Sequence, residues 1–146
     1  EMCIRDSVSV SSTEVGPCIG CDKCVRTSEC TFEADDMKEL NRTSEADAVI
    51  FVSPIYYFDF NAQLKAVIDR FYANNESLMG KKKAVFLTAM ADEDQKTASG
   101  ANASFDLMAD YLGWEIVGRL NVGGCSTADD LHEEDLTAAY ELGKNL

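Results

Sequence analysis

Apolar positions along this chain fall into blocks whose period changes from one element to the next. Ala48-Val49-Ile50-Phe51-Val52 and Ala84-Val85-Phe86-Leu87-Thr88 are continuous apolar runs of strand length, rich in β-branched residues. Such runs suit strands buried on both faces, as in parallel sheets. Glu115 to Val122 alternates instead, which predicts a half-exposed or edge strand, and Val8-Ser9-Val10 predicts a shorter strand ended by Gly16-Pro17. Helical spacing appears where Leu64, Val67, Ile68 and Phe71 form one stripe, with Lys65, Asp69 and Arg70 mostly off it. It recurs at Phe105, Met108 and Leu112, stopped by Gly113, and at Leu136, Ala139, Tyr140 and Gly143 behind Asp129 or Asp130 as cap. Asp35 to Leu40 opens a short helix, with Asp36 as N-cap and Glu39 as its capping-box partner. Asn74 to Ser77 reads as polar linker, Lys81-Lys82-Lys83 as the solvated start of a strand, and Ala89 to Gly100 as an acidic loop.

Helices alternating with strands in this order predict an open parallel α/β sheet covered on both sides. Ligands in such sheets bind beyond the carboxyl ends of the strands, where strand order reverses. Three loops qualify: Ser53 to Phe60, Thr88 to Asp92, and Val122 to Ser126. The first offers aromatics that could stack on a flat ring, the second small residues with accessible backbone donors, and the third the pair Gly123-Gly124. Together they suit a planar aromatic cofactor. The alternative is that Tyr56, Tyr57 and Phe58 are core or subunit-interface aromatics. Cys125 reads as a small buried hydrophobe and His132, the only histidine, as solvated surface. With no histidine triad, H-E-x-x-H or Walker loop, the sequence argues against acid–base hydrolysis.

Composition narrows the class. At 146 residues and 46% hydrophobic content the chain suits one domain, and no internal repeat or second-domain boundary is visible. A net charge of −13 argues against nucleic acid and anionic membrane surfaces as partners. No apolar run has the length of a membrane span and no signal-peptide pattern opens the chain, so a cytoplasmic location is expected. Residues 1–7, Glu-Met-Cys-Ile-Arg-Asp-Ser, match neither strand nor helix period and read as a non-native leader, translated adapter sequence, which would make Cys3 irrelevant. Residues 8–146 then form the single domain.

The most specific chemistry is Cys18-x2-Cys21-x2-Cys24-x5-Cys30, four of the six cysteines. Thiols repeated at this spacing let one short loop turn several thiolates inward, as iron–sulfur loops do. No second run exists to share ligands, so the four are read as serving one [4Fe-4S] cluster. Structural zinc, which favours two separated pairs, and metal-free redox thiols stay open. Disulfides do not suit a chain without marks of secretion.

Pro17 to Cys24, Asp35-Asp36-Met37, Ala46 to Tyr56 and Gln63 to Arg70 resemble, in order and spacing, the iron–sulfur flavoproteins and the related NAD(P)H-dependent FMN reductases of the flavodoxin-like superfamily. The resemblance runs from about Val8 to the C-terminus, through Gly113 to Gly118 and Ala139 to Lys144. It implies a three-layer α/β/α doubly wound parallel sheet, non-covalent FMN, a [4Fe-4S] cluster and assembly as a homodimer or dimer of dimers. Carried over, Ser53, Pro54, Ile55 and Tyr56 match the loop beside the isoalloxazine ring, Thr88, Ala89, Met90, Gly123 and Gly124 match less firmly, and Cys18, Cys21, Cys24 and Cys30 match the cluster ligands. Members of the group open with a strand, a phosphate-binding loop and a helix that this sequence lacks before Val8. Weak FMN binding and low stability of the chain alone are therefore expected.

The resulting expectation is an FMN-dependent oxidoreductase passing electrons between NAD(P)H or a reduced carrier, FMN and the cluster, with ferredoxin or a quinone as possible partner. No catalytic acid or base is required. A cluster-free NAD(P)H-dependent FMN or quinone reductase, and a metal-binding or thiol redox module without flavin chemistry, are the alternatives.

Overall fold

Strands β1 (Ala48–Tyr56), β2 (Asp59–Phe60), β3 (Lys83–Ala89) and β4 (Glu115–Val122) form one sheet in the order β2-β1-β3-β4. The computed structural model describes residues 6–32, 41–144 and 146. β1, β3 and β4 run parallel, and β2 turns back antiparallel on the end of β1, pairing Ile55 with Phe60 and Tyr56 with Asp59. The parallel register aligns Ser53 with Thr88 and Thr88 with Asn121, so three strands end at one level. Five helices accompany them among the described residues: α1 (Lys23–Thr27), α2 (Ala62–Arg70), α3 (Asn75–Leu78), α4 (Ser99–Leu112) and α5 (Glu133–Lys144).

Phe51 and Phe86 are register partners and point to the same side of the sheet, where α2 and α4 cover them. Phe105 of α4 lies 4.9 Å from Phe86 and 5.8 Å from Phe51, ring centre to ring centre. Each aromatic withdrawn from water contributes roughly 1.5–3 kcal/mol, enough to fix the helix on the strands. Trp114 closes this core from below, and its indole N–H donates to the Leu78 carbonyl at 2.8 Å. The stripe on α2 behaves as its period predicts, with Leu64 and Val67 buried and Asn61 capping the Leu64 N–H. Gly113 ends α4 in the left-handed region, φ 75°, as expected of a glycine after the last turn.

The opposite side of the sheet is covered differently. Gly118 faces α5, and a Cβ there would stand 2.6 Å from Leu142 Cδ2. The glycine lets α5 lie against β4, which gives the sheet helices on both sides. Over β1 that same side is open, with Ile50 49% and Val52 65% exposed while Phe51 and Ser53 are buried. The expectation that β1 is buried on both faces therefore fails, because α5 reaches β4 and no described element covers β1.

Other local readings change for stated reasons. Val8-Ser9-Val10 is no strand: its chain turns, with Ser12 N–H donating to the Ser9 carbonyl, while Val8 and Val10 pack on the core. Pro54 does not end β1, since no described residue pairs with the strand's outer side before β2 and a missing donor is tolerated there. Asn74 to Ser77 is helical, forming the end of a 3-10 turn and most of α3, with Leu78 buried beneath it. Lys82 is not simply solvated, since its ammonium donates to the carbonyls of Ser44 and Ala46. Asp129 and Asp130 lie in a separate 3-10 turn rather than capping α5, which starts at Glu133. Arg70, placed off the apolar stripe by its charge, is only 2% exposed. The helix expected over 35–40 lies outside the described residues.

Candidate functional site

The carboxyl ends of β1, β3 and β4 carry the residues singled out for a planar cofactor, and the structure divides them into two kinds. Ser53, Ile55, Thr88 and Met90 are buried. Ser53 donates to the Pro54 carbonyl at 2.8 Å and accepts from the Asn61 N–H, while Thr88 donates to Asn121 Oδ1 at 2.8 Å. These polar groups satisfy one another and set the level of the loops. Pro54 and Ala89 are half-buried and Tyr56 is 64% exposed, which leaves them as the surfaces a ligand can touch.

Gly123 and Gly124 draw the β4 loop onto the β3 loop. A Cβ on Gly123 would sit 3.0 Å from the Asp92 carbonyl, and Gly124 takes φ 67°. Cys125 N–H donates to the Met90 carbonyl and Met90 N–H to the Val122 carbonyl, both at 2.9 Å. Cys125 itself is half-buried. Asp92, accepting from the Asp94 N–H and the Thr97 hydroxyl, has its carboxyl held below the usual aspartate range by those donors. The glycine pair thus serves close approach of one loop to another.

Beside these ends stands a turn that sequence reasoning did not single out for its backbone. Tyr57 and Phe58 both take positive φ, 49° and 70°, a region bulky residues adopt at a cost of about 1–3 kcal/mol each. The turn is held by α4, whose Ala101 N–H donates to the Phe58 carbonyl at 2.9 Å. Gly100 permits that contact, since a Cβ there would lie 2.3 Å from the same carbonyl oxygen. Tyr57 is left 99% exposed.

The cysteine loop is a second centre. Cys18, Cys21, Cys24 and Cys30 line one pocket together with Phe32, Arg70 and Tyr72. Left-handed backbone at Gly20, Asp22 and Ser28 bends the loop, and α1 between the last two carries Cys24. All four thiols are free, Cys18 and Cys21 exposed, Cys24 and Cys30 half-buried. Among the described residues no three Cys, His, Asp or Glu side chains are close enough to share one metal ion. Tyr72 donates to Asp22 at 3.3 Å, and the nearby carboxylate raises the phenol above its ordinary value. Arg70 reaches the loop from α2, donating to the Gly16 carbonyl at 3.0 Å and the Phe32 carbonyl at 3.2 Å. Neither Arg70 nor Tyr72 is legible as a site residue in the sequence. The one signal is their position at the end of the α2 stripe, one turn past Val67.

Comparison with known proteins bears on both centres. An iron–sulfur flavoprotein of Archaeoglobus fulgidus is 33% identical over 146 residues, covering 97% of this chain and 63% of that protein. One from Methanosarcina thermophila is 39% identical over 66 residues, 44% of this chain and 34% of the relative. The chain thus spans less than two thirds of the length of these relatives. Among solved structures, the Trp repressor binding protein of Bacillus subtilis superposes with a TM-score of 0.66 at 21% identity, over 76% of this chain and 78% of that one. An FMN-dependent NADH-azoreductase from Bacillus anthracis, in complex with FMN, gives 0.55 at 17% identity over 94% and 77%. These two likenesses establish the flavodoxin-like fold. No helix among the described residues is long and apolar enough to cross a membrane. The family model for NADPH-dependent FMN reductase matches residues 6–125, and the chain belongs to that family.

Proposed function

We propose that this chain is part of an FMN-dependent oxidoreductase of the iron–sulfur flavoprotein type, in which Cys18, Cys21, Cys24 and Cys30 hold a [4Fe-4S] cluster. The observation that carries the reading is that these four thiols, and no other cysteine of the described residues, line one pocket. The thiols do not converge on one metal ion in this structure, and it is their spacing along one short loop that suits a cluster. The names of the relatives support the same reading.

At the strand ends, the register partners Pro54 and Ala89, with exposed Tyr56, are the surfaces open to a planar ring, and the part-buried pairs Ser53–Asn61 and Thr88–Asn121 fix the level of their loops. FMN bound there would link two-electron donors such as NAD(P)H to one-electron carriers such as ferredoxin. This chain's residues then have three tasks: stacking on the ring, excluding water from one side of it, and holding the thiolates. Exposed Tyr57 and Phe58 suit a contact with a second copy in a homodimer, or with the donor.

Anaerobic purification followed by iron, acid-labile sulfide and flavin analysis tests the proposal. Iron and sulfide in equal amounts, near four of each per chain, with FMN taken up when it is supplied, is the expected result. FMN without iron would replace the reading by a cluster-free FMN or quinone reductase. Zinc without FMN would replace it by a metal-binding module.

A further inference from the structure

We propose that Arg70 is a positioning residue for the cysteine loop, a clamp whose guanidinium ties the start of the loop at Gly16 to its end at Phe32. The inference rests on the reading of the four cysteines as cluster ligands and assigns the part of the protein that keeps them in register. Among the described residues the loop's own hydrogen bonds are short-range, such as Arg26 to the Cys21 carbonyl and Ser28 N–H to the Cys24 carbonyl, and do not join its two ends. α1 buries none of its residues, Cys18 and Cys21 are exposed, and the large apolar residues Ile19 and Val25 are 63% and 67% exposed. A loop without apolar burial must be closed by named polar contacts, or its ends drift apart and the thiols with them.

Arg70 supplies those contacts in a form few side chains match. One terminal nitrogen donates to the Gly16 carbonyl at 3.0 Å and the other to the Phe32 carbonyl at 3.2 Å. The guanidinium carbon also lies 5.1 Å from the centre of the Phe32 ring. A planar fork of fixed geometry can serve two carbonyls at a set separation, whereas an ammonium is a point donor on a flexible stem. The fork is aimed by α2, itself fixed to the sheet through Leu64 and Val67, and the guanidinium is among the largest fully buried groups in the molecule. Two residues on, Tyr72 donates to Asp22 in the middle of the loop. Start, middle and end of the cysteine loop are therefore all referred to one short stretch, Arg70-Phe71-Tyr72, whose Phe71 is buried in the sheet core. The position of the thiols is in this way set by the sheet rather than by the loop.

The test compares Arg70→Gln, Arg70→Lys, Phe32→Leu and Tyr72→Phe with the unaltered chain after anaerobic cluster reconstitution. Three quantities are read: iron release to a chelator, tryptic cutting of the metal-free protein at Lys23 and Arg26, and far-UV circular dichroism for the sheet. Arg70→Gln is expected to release iron about ten-fold faster or more and to be cut faster at both bonds, with the sheet signal retained. Arg70→Lys keeps the charge and loses the fork, so it is expected to follow Arg70→Gln. Rescue by lysine would overturn the clamp in favour of a simple charge effect. Phe32→Leu and Tyr72→Phe, which lie outside the sheet core, should each accelerate both readouts by about two- to five-fold. If Arg70→Gln loses its sheet signal, these two variants decide: unchanged rates in both overturn the proposal. An unaltered chain that takes up no iron under reconstitution defeats the cluster reading, while the tryptic readout on the metal-free chain still tests the clamp.

Discussion

Phe51, Phe86 and Phe105 hold the sheet to its helices through ring contacts made by many atoms, whereas the loop carrying Cys18 to Cys30 is held by a handful of polar contacts from Arg70 and Tyr72. The first region is redundant. Removing one atom from it loosens a packing that its neighbours partly repair. The second has fewer ties among the described residues: two carbonyl bonds and one ring contact from Arg70, and one bond from Tyr72 to Asp22. A protein can accept that difference where one region must stay fixed and the other must receive a bound group. Under the proposed reading, the loop's remaining order would come from the bound cluster, in the way that metal binding and folding are generally coupled.

Four changes would break or sharpen this contrast. Cys21→Ser has the largest effect expected: iron content measured after reconstitution falls to a small fraction, while the thermal midpoint of the metal-free chain stays within error of the unaltered one. A large drop in that midpoint would mean that loop and core are not separate. Phe86→Ala should do the reverse, costing about 3–5 kcal/mol in urea unfolding while leaving the thiols equally reactive toward an alkylating reagent. Trp114→Phe keeps the ring but leaves the buried Leu78 carbonyl without its indole donor, a loss of about 1–3 kcal/mol by the same measurement.

The smallest effect is a pH dependence in the 3-10 turn that follows β4. Asp130 accepts from the Thr127 and Ser126 N–H groups and the Thr127 hydroxyl, which hold its carboxyl below its ordinary value of 3.8. A carboxyl with a depressed native value stabilises the fold fully above its unfolded value and ceases to do so as pH falls through the native one. Unfolding midpoints measured from pH 6 down to pH 2 should therefore fall less for Asp130→Asn than for the unaltered chain: the variant is the less stable of the two at pH 6, and the gap closes as the carboxyl of the unaltered chain protonates. A gap that stays constant from pH 6 to pH 2 would assign the effect to the side chain's shape rather than its charge.

Period and turn chemistry in the sequence determine much of this protein. The apolar runs at 48–52 and 84–88, the alternation from Glu115 to Val122, the stripe Leu64-Val67-Ile68-Phe71 and the stop at Gly113 each appear as the expected element, because each depends on neighbours within one or two turns. The cysteine spacing likewise gathers four thiols around one pocket by itself, since they lie on one short loop. Tertiary structure alone decided the rest. Ile50 and Val52 look as buried as Phe51 in sequence, yet they are exposed because α5 lies over β4 and not over β1. Pro54 looks like a strand end and is not, because among the described residues nothing pairs with its strand's outer side there. Arg70 looks like a surface charge and is buried, because the carbonyls that satisfy it lie 54 and 38 residues away along the chain. Local pattern records what a residue prefers, while burial and partnership depend on which distant segment arrives beside it, and no spacing along one stretch encodes that.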